Sequence, residues 1–583
     1  MSEQLRFDNR TIIITGAGGG LGRAYALFFA SRGGKVLVND LNKDNADKVV
    51  AEVKAAGGTA VANYESATEG EKVVGQAMKE WGRVDVLINN AGILRDKSFK
   101  SMTDKEWDLV QEVHVKGAYA CTKAAWPIMR KQKFGRIINT ASAAGIYGNF
   151  GQANYSAAKM GLVGFAKTLA REGAKYGIQA NAIAPVAASA MTETIMPPEM
   201  LSCLSPSAIV PCVAYLAHES TTTTGQVFEA GAGWYGQLRW ERTKGHVFKT
   251  DDSFTPAAVR EKWDVINDFT DADHPEAITD ADYLGFLERA KSAPSNPQGS
   301  APVSFAGQTV LITGAGAGLG RSYALMFAQG GANVVVNDMS RENAEGVVEE
   351  IKKAGGKAVA VVESTLEGDK LVEAALRAFG SLHTIVCNAG ILRDKSFAAM
   401  TEQEWDAVYS THLKGTYAVA HAAWPVFQKQ KYGRIVTTSS AVGVHGNFGQ
   451  ANYSTAKSAI IGLTRTLAIE GKKYGIQANV LVPNAGTAMT ATIWPEDMVR
   501  AFSPQYVAPI VCFLGSKECE SKMGLYEVSA GWCASLRWQR TKGTAFPVNN
   551  TVTPEDVAGA WGKITKFDNE ATYPNSTAES LEA

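Results

Sequence analysis

The chain is written twice. TGAGGGLG begins at Thr15 and TGAGAGLG at Thr313, and NAGILRDKSF at Asn90–Phe99 returns unchanged at Asn388–Phe397. GNFGQANYSAAK at Gly148–Lys159 returns as GNFGQANYSTAK at Gly446–Lys457, and LRWERTKG from Leu238 matches LRWQRTKG from Leu536. Every pair keeps an offset of 298, so the halves align without net insertion from about Phe7 to about Phe269. Solenoid repeats run ~20–50 residues, so a period this long is a duplicated domain. The expected division is a first unit with its extension over 1–291, a linker over 292–304 and a second unit with its extension over 305–583. The linker, SAPSNPQGSAPVS, has the Pro, Ser and Gly of a flexible coil. A coil of that length spans roughly 20 Å, enough to set two compact domains side by side.

Within each unit, strand and helix patterns alternate. TIIITG is a short buried strand, followed by a Gly-rich turn and the helix LGRAYALFFASRG; KVLVND is a second strand, then NADKVVAEVKAAGG a helix. VDVLINNAG and GRIINTAS supply further strands. Fully apolar strands separated by helices indicate a parallel sheet covered on both faces. The expected fold is α/β: two tandem Rossmann-like, doubly wound parallel-sheet domains, each with a helical C-terminal extension such as AAVREKWDVINDF.

Composition narrows the class. Lys plus Arg and Asp plus Glu are 58 each, a balance that argues against a nucleic-acid or polybasic membrane binder. No apolar run reaches the ~18 residues of a membrane span, so no membrane insertion is expected. The start, MSEQLRFDNR, lacks the apolar stretch of a secretory signal. The seven cysteines have no CxxC pair to hold zinc, so they read as free thiols in a reducing compartment, and no metal is expected. A large soluble intracellular protein is the expectation.

Gly16, Gly20 and Gly22 lie directly after a strand and open a helix; Gly314, Gly318 and Gly320 repeat them. Backbone without Cβ lets a helix N-terminus approach a pyrophosphate. Asp40 and Asp338 follow 18 residues after the third glycine, near the ~20 expected of a ribose-binding carboxylate. A carboxylate there accepts from the ribose hydroxyls and repels the 2′-phosphate of NADP, so NAD is the expected cofactor. Arg23 and Arg321, just past the third glycine, read better as surface residues than as phosphate ligands.

Tyr155 and Lys159 stand four apart on one helix face, with Ser142 thirteen residues earlier at a strand end; Ser440, Tyr453 and Lys457 repeat the spacing. A tyrosine with a pKa near 10 is a poor base, but an adjacent ammonium and a positive nicotinamide favour its phenolate. Serine then holds the substrate oxygen.

With these motifs in this order, each half resembles a short-chain dehydrogenase/reductase. That resemblance implies catalytic roles for Ser142, Tyr155, Lys159, Ser440, Tyr453 and Lys457, and cofactor contact for Asn90 and Asn388. His114 and His412 stand where the family often has a catalytic asparagine. Each is either a link in a water-mediated proton relay or a helix histidine satisfied by backbone. Pro185-Val186 and Pro483-Asn484 replace the family's Pro-Gly beside the nicotinamide. GILRDKSF, HVKG, AAWP, GNFGQANYSAAK and the LRW-RTKG tail further resemble the dehydrogenase region of the fungal type 2 peroxisomal multifunctional enzymes.

That closer resemblance implies NAD-dependent oxidation of (3R)-3-hydroxyacyl-CoA to 3-ketoacyl-CoA in fatty acid β-oxidation, in the peroxisome, although LEA at the end is not an SKL-type address. It also implies a hydratase domain for which the chain past the second unit leaves no room. An acyl-CoA substrate is expected. The two units are expected to pair as an intrachain pseudo-dimer, with a further homodimer open. Tyr147/His445, Met196/Trp494 and Val186/Asn484 differ between copies, suggesting different acyl chain-length preferences, or drift. Arg239, Arg242 and Lys244 could meet CoA phosphates, but a solvated charged face is the simpler reading. The rivals are a hydroxysteroid dehydrogenase or 3-ketoacyl reductase, and a chain with one unit serving only as a nucleotide-binding scaffold.

Overall fold

The apolar runs become strands wherever helices can cover both faces. In the computed structural model, which describes residues 4–186, 204–492, 494–547 and 551–582, the first unit's strands are β1 (Thr11–Ile14), β2 (Lys35–Asn39), β3 (Thr59–Asn63), β4 (Val86–Asn89), β5 (Gly135–Thr140), β6 (Ile178–Val186) and β7 (Val227–Gly231). They form a parallel sheet in the order 3-2-1-4-5-6-7, with Ile13 beside both Leu37 and Leu87. The order reverses between β1 and β4, the point at which doubly wound sheets open a crevice at their carboxyl ends. β8 (Trp234–Arg242) adds antiparallel to β7, and a short β9 (His246–Val247) follows.

The second unit repeats this plan with β10 (Thr309–Ile312), β11 (Asn333–Asn337), β12 (Lys357–Val361), β13 (Thr384–Cys387), β14 (Gly433–Thr438), β15 (Ile476–Asn484), β16 (Leu525–Ser529), β17 (Trp532–Arg540) and β18 (Thr544–Ala545). Its first seven strands are again parallel, and β17 runs antiparallel to β16.

The units pair about a pseudo-twofold axis. β8 and β17 are antiparallel neighbours with Trp240 opposite Trp538, residues that are each other's copies. Their rings stack at 3.6 Å between centroids. Beside them the helices Ala153–Gly173 and Ala451–Gly471 lie together, and the Ser454 and Ser458 hydroxyls donate at 2.8 Å to the carbonyls of Gly164 and Met160. The expected intrachain pseudo-dimer is therefore present as two sheets joined edge to edge.

Two expectations change. The extensions do not stay with their own units: Phe254, Ala258, Val259 and Ile266 are buried in the second unit's core with Phe305 and Tyr323. Val557 and Ile564, from the second extension, are buried in the first unit's core with Phe29 and Phe228. The linker is not a free coil either. Asn296 is buried and bonded to both Lys249 backbone groups, and Val303 is buried in the second unit's core. Composition marked this stretch as flexible because its partners lie on the exchanged extension.

One exchanged contact carries charge. Arg32 donates to Glu555 at 2.6 Å, and Glu555 also accepts from the Leu5 amide at 2.6 Å. Burial works to raise the Glu555 carboxyl, but the Arg32 and Leu5 bonds hold it down to about 2. A carboxyl lowered from 4.5 stabilises the fold above that pH, and the contribution is lost as pH falls towards 2. The stability advantage of the native chain over Glu555→Gln will accordingly shrink on acidification through that window. Denaturant unfolding at stepped pH measures it, and a pH-independent difference would refute it.

Candidate active sites

Each glycine turn is built for close approach. A Cβ on Gly22 would stand 2.3 Å from the Gly16 carbonyl oxygen, and one on Gly320 would stand 2.2 Å from that of Gly314. The helices that follow, Gly20–Ser31 and Gly318–Gln329, have no side-chain cap and no acid in their first turn. Their leading amides and positive dipole end are thus left for an anionic group, and the cradle fits a dinucleotide pyrophosphate. Asp40 accepts from Gly18 N and Asn42 N, each at 2.9 Å; Asp338 accepts from Gly316 N at 3.0 Å and Ser340 N at 2.9 Å. These bonds fix the carboxylates at the ends of their strands.

Asn90 uses its side-chain amide on the Thr15 and Gly16 carbonyls, at 3.1 and 3.2 Å, and Asn388 does the same to Thr313 and Gly314 at 3.2 and 3.3 Å. Both asparagines therefore shape the turn. Arg23 and Arg321 reach back to Glu52 and Glu350 on the protein surface, as the surface reading expects.

Ser142 and Ser440 cap the short helices Ala143–Tyr147 and Ala441–His445 at the ends of β5 and β14. Tyr155 and Tyr453 lie near enough for these serines to pull their phenols' pKa downward. Lys159 donates to the Thr140 carbonyl at 2.7 Å and Lys457 to that of Thr438 at 2.8 Å, with each ammonium 5.5–5.6 Å from its tyrosine ring. Burial pushes the Tyr155 phenol up to about 12 against the opposing pull of Ser142, and pushes Lys159 down to about 7. Tyr453 and Lys457 shift in the same way. Burial is a contribution that the expected help from the lysine and a positive nicotinamide has to work against: desolvation disfavours the charge on both side chains.

His114 and His412 sit on π-helical turns, Glu112–Lys116 and Ser410–Lys414. Such turns often re-aim a side chain at a functional site. His114 Nε2 lies 3.0 Å from the Ile93 amide and 2.8 Å from its carbonyl, and the ring meets Tyr155 edge-on at 5.3 Å. Nδ1 is buried without a partner among the described residues. Burial, and secondarily Lys159, keep the ring well below its usual pKa, so it is neutral. His412 matches it in each respect.

In the second unit a cavity of about 510 Å³ brings Asp338, Asn388, His412, Ser440, Tyr453 and Lys457 together. Asn484 lines it too; Trp494 is not among its lining residues and packs against Phe502 instead, centroids 5.3 Å apart. Met196 lies outside the described residues. Tyr147 and His445 are buried in the seam between the units.

Sequence reasoning missed Asn154 and Asn452. Asn154 accepts from Tyr155 N at 2.8 Å and donates to the Arg95 and Glu106 carbonyls at 3.1 and 3.2 Å, tying the Ala153–Gly173 helix to the RDKSF loop. Its signal was the unchanged ANYS of both copies. The basic tail segment is also reread. Arg242 pairs with Glu527 at 3.0 Å with a 3% exposed side chain, so it neither meets phosphate nor faces water. Among the described residues, six cysteines are buried and unpaired, no cluster of His, Cys, Asp or Glu is placed to hold a metal, and no helix is long and apolar enough to cross a membrane.

Similarity to known proteins follows the same duplication. The short chain dehydrogenase family model matches residues 10–199 and again 308–497. A peroxisomal hydratase-dehydrogenase-epimerase of Neurospora crassa is 54% identical over 595 aligned residues, covering 100% of this chain and 66% of its own. That of Saccharomyces cerevisiae is 50% identical over 607, covering 100% and 67%. The peroxisomal multifunctional enzyme type 2 of Mus musculus is 49% identical over 322, covering 53% of this chain and 44% of its own. The chain spans about two-thirds of the length of its fungal relatives.

Proposed function

We propose a reaction for a chain that belongs to the short-chain dehydrogenase family: NAD-dependent oxidation of (3R)-3-hydroxyacyl-CoA to 3-ketoacyl-CoA, at two active sites, as a peroxisomal step of fatty acid β-oxidation. The observation that carries it is the cavity joining Ser440, Tyr453 and Lys457 to the Asp338 end of the cofactor cradle, in a chain similar over its whole length to peroxisomal hydratase-dehydrogenase-epimerases. The first unit repeats the same residues.

The Ser142 hydroxyl holds the substrate oxygen, and the Tyr155 oxygen takes the proton of the 3-hydroxyl as C3 gives up hydride. Nicotinamide, when bound, supplies the hydride acceptor and, oxidised, a positive charge that favours the phenolate. Lys159, held at about 7 by burial, gains or loses a proton near neutrality and so can refill or drain the tyrosine. His114 continues the path. Its Nε2 finds a partner on Ile93 in either tautomer, the carbonyl when protonated and the amide when not, which leaves Nδ1 to accept or to donate. The carboxylates of Asp40 and Asp338 favour NAD over NADP.

Production of NADH with resolved (3R)- and (3S)-3-hydroxyacyl-CoA tests this. Turnover of the (3R) isomer with NAD is expected; turnover confined to the (3S) isomer, or to steroid alcohols, would overturn it.

A further inference from the structure

Two motifs identical in both copies do no chemistry in the reaction above: RDKSF and GNFGQ. Both run along the substrate side of a site. In the second unit Leu392, Asp394, Asn447, Phe448 and Gln450 line the cavity. The two loops touch each other, Lys395 N donating to Gly449 O at 2.9 Å in one unit and Lys97 N to Gly151 O at 2.9 Å in the other.

What fixes these loops comes from the opposite unit. Glu172, at the end of the first unit's catalytic helix, accepts from Phe397 N and Gly449 N of the second unit, each at 2.6 Å, one on each carboxylate oxygen. Glu470 returns the arrangement, accepting from Phe99 N at 2.6 Å and Gly151 N at 2.7 Å. Both glutamates are 3% exposed. One turn earlier, Thr168 accepts from Asn447 N and Thr466 from Asn149 N, each at 3.1 Å.

The loop ends are anchored crosswise as well. Phe99 is buried against Trp424 of the second unit, at 5.0 Å between centroids, and Phe397 against Trp126 of the first, at 5.3 Å. A Cβ on Gly446 would stand 2.7 Å from the Lys167 carbonyl carbon, and one on Gly148 would stand 2.9 Å from that of Arg465. The leading glycine of each motif thus serves this approach.

We infer that Glu172 and Glu470 are crossed positioning residues: each holds together the two substrate-side loops of the other unit's active site, so neither site is complete without the opposite unit's helix. Two backbone amides from different loops converge on one buried carboxylate, and both oxygens must accept. A glutamine would turn an N–H against one of those amides and release that loop. The duplication then has a structural reason: each dehydrogenase unit is scaffold to the other.

The inference rests on Tyr155 and Tyr453 being the catalytic tyrosines, and its test separates the two claims. Glu172→Gln is placed in the full chain together with Tyr155→Phe, so that only the second site turns over, and separately with Tyr453→Phe, so that only the first does. Expected is a loss of at least about tenfold in kcat/KM at the second site, through a raised KM for the hydroxyacyl substrate with the KM for NAD unchanged. The first site, whose helix carries the substitution, stays within about twofold. Equal losses at both sites, or none at the second, would overturn the inference. Hydrogen exchange on the unmodified chain reads the same bonds without any substrate and without the variant folding. The Phe397, Gly449, Phe99 and Gly151 amides should exchange as slowly as core strands, and fast exchange there would overturn it.

Discussion

Replacing Tyr155 and Tyr453 together with phenylalanine will lower NADH production by about 10³-fold or more, while the protein keeps its fold and its cofactor affinity. The phenyl ring preserves each tyrosine's edge-on contact with its histidine, at 5.2–5.3 Å, and removes only the oxygen. General acid–base catalysis by a positioned side chain contributes about 10²–10⁴-fold, and in the proposed reaction this oxygen is the group that takes the proton. Neither neighbour replaces it. The serine hydroxyl is no base at neutral pH, and the lysine ammonium is turned to the Thr140 or Thr438 carbonyl at 2.7–2.8 Å. A residual rate above about one-hundredth would place the base elsewhere, with His114 and His412 first to be tested. The two single variants then divide the activity. If Tyr155→Phe alone removes all turnover, the second unit is a scaffold; retention of a distinct share by each makes both catalytic. Initial rates across short to long acyl-CoAs on each single variant decide chain-length division, and identical profiles would sink it. The structure moves that expectation from Trp494, which packs against Phe502 and is not among the cavity's lining residues, to Asn484, which lines it where the first unit has Val186.

What could be read before folding was whatever is local in the chain. A threonine and three apolar residues between turn signals specified β1 and β10, and helix spacing put Tyr155 and Lys159 on one face. The turn, the carboxylate 18 residues on and the serine at a strand end are likewise short-range patterns. What could not be read depends on partners hundreds of residues away. Glu172 and Glu470 look like ordinary polar positions near a helix end, because the loops they hold belong to the other copy. The roles of His114 and Asn90 turn on main-chain atoms of Ile93, Thr15 and Gly16, which sequence does not place. Burial was the remaining blind spot. The motif names the lysine beside Tyr155 but not the low-dielectric surroundings that push the phenol up.

The segment RWERTKG is the clearest case, and it carries the second large effect. A run of basic residues reads the same whether it faces water, a phosphate or a carboxylate on another domain. Arg242 donates to Glu527 at 3.0 Å across 285 residues and to the Asp280 carbonyl at 3.1 Å, with Tyr283 donating to the other Glu527 oxygen at 2.6 Å. Its copy Arg540 donates to Glu229 and to the Ser580 carbonyl, each at 2.8 Å. These pairs flank the β8–β17 seam and are 1–3% exposed. Removing one partner of a buried pair leaves a charge with no compensation, which costs about 3–5 kcal/mol, whereas replacing both by apolar groups is often neutral. Arg242→Met will therefore lower the unfolding free energy by about 3–5 kcal/mol. Arg242→Met with Glu527→Leu will recover most of that loss, and Lys244→Ala, which breaks the exposed pair with Asp273, will change little. Denaturant midpoints of the three variants measure this. Equal losses in the single and double substitutions would show that Arg242 acts by filling space beside Trp532 and not by neutralising Glu527. The expected ordering instead makes the seam electrostatically locked, so that Arg242→Met loosens both active sites at once, each depending on the opposite unit for its loops.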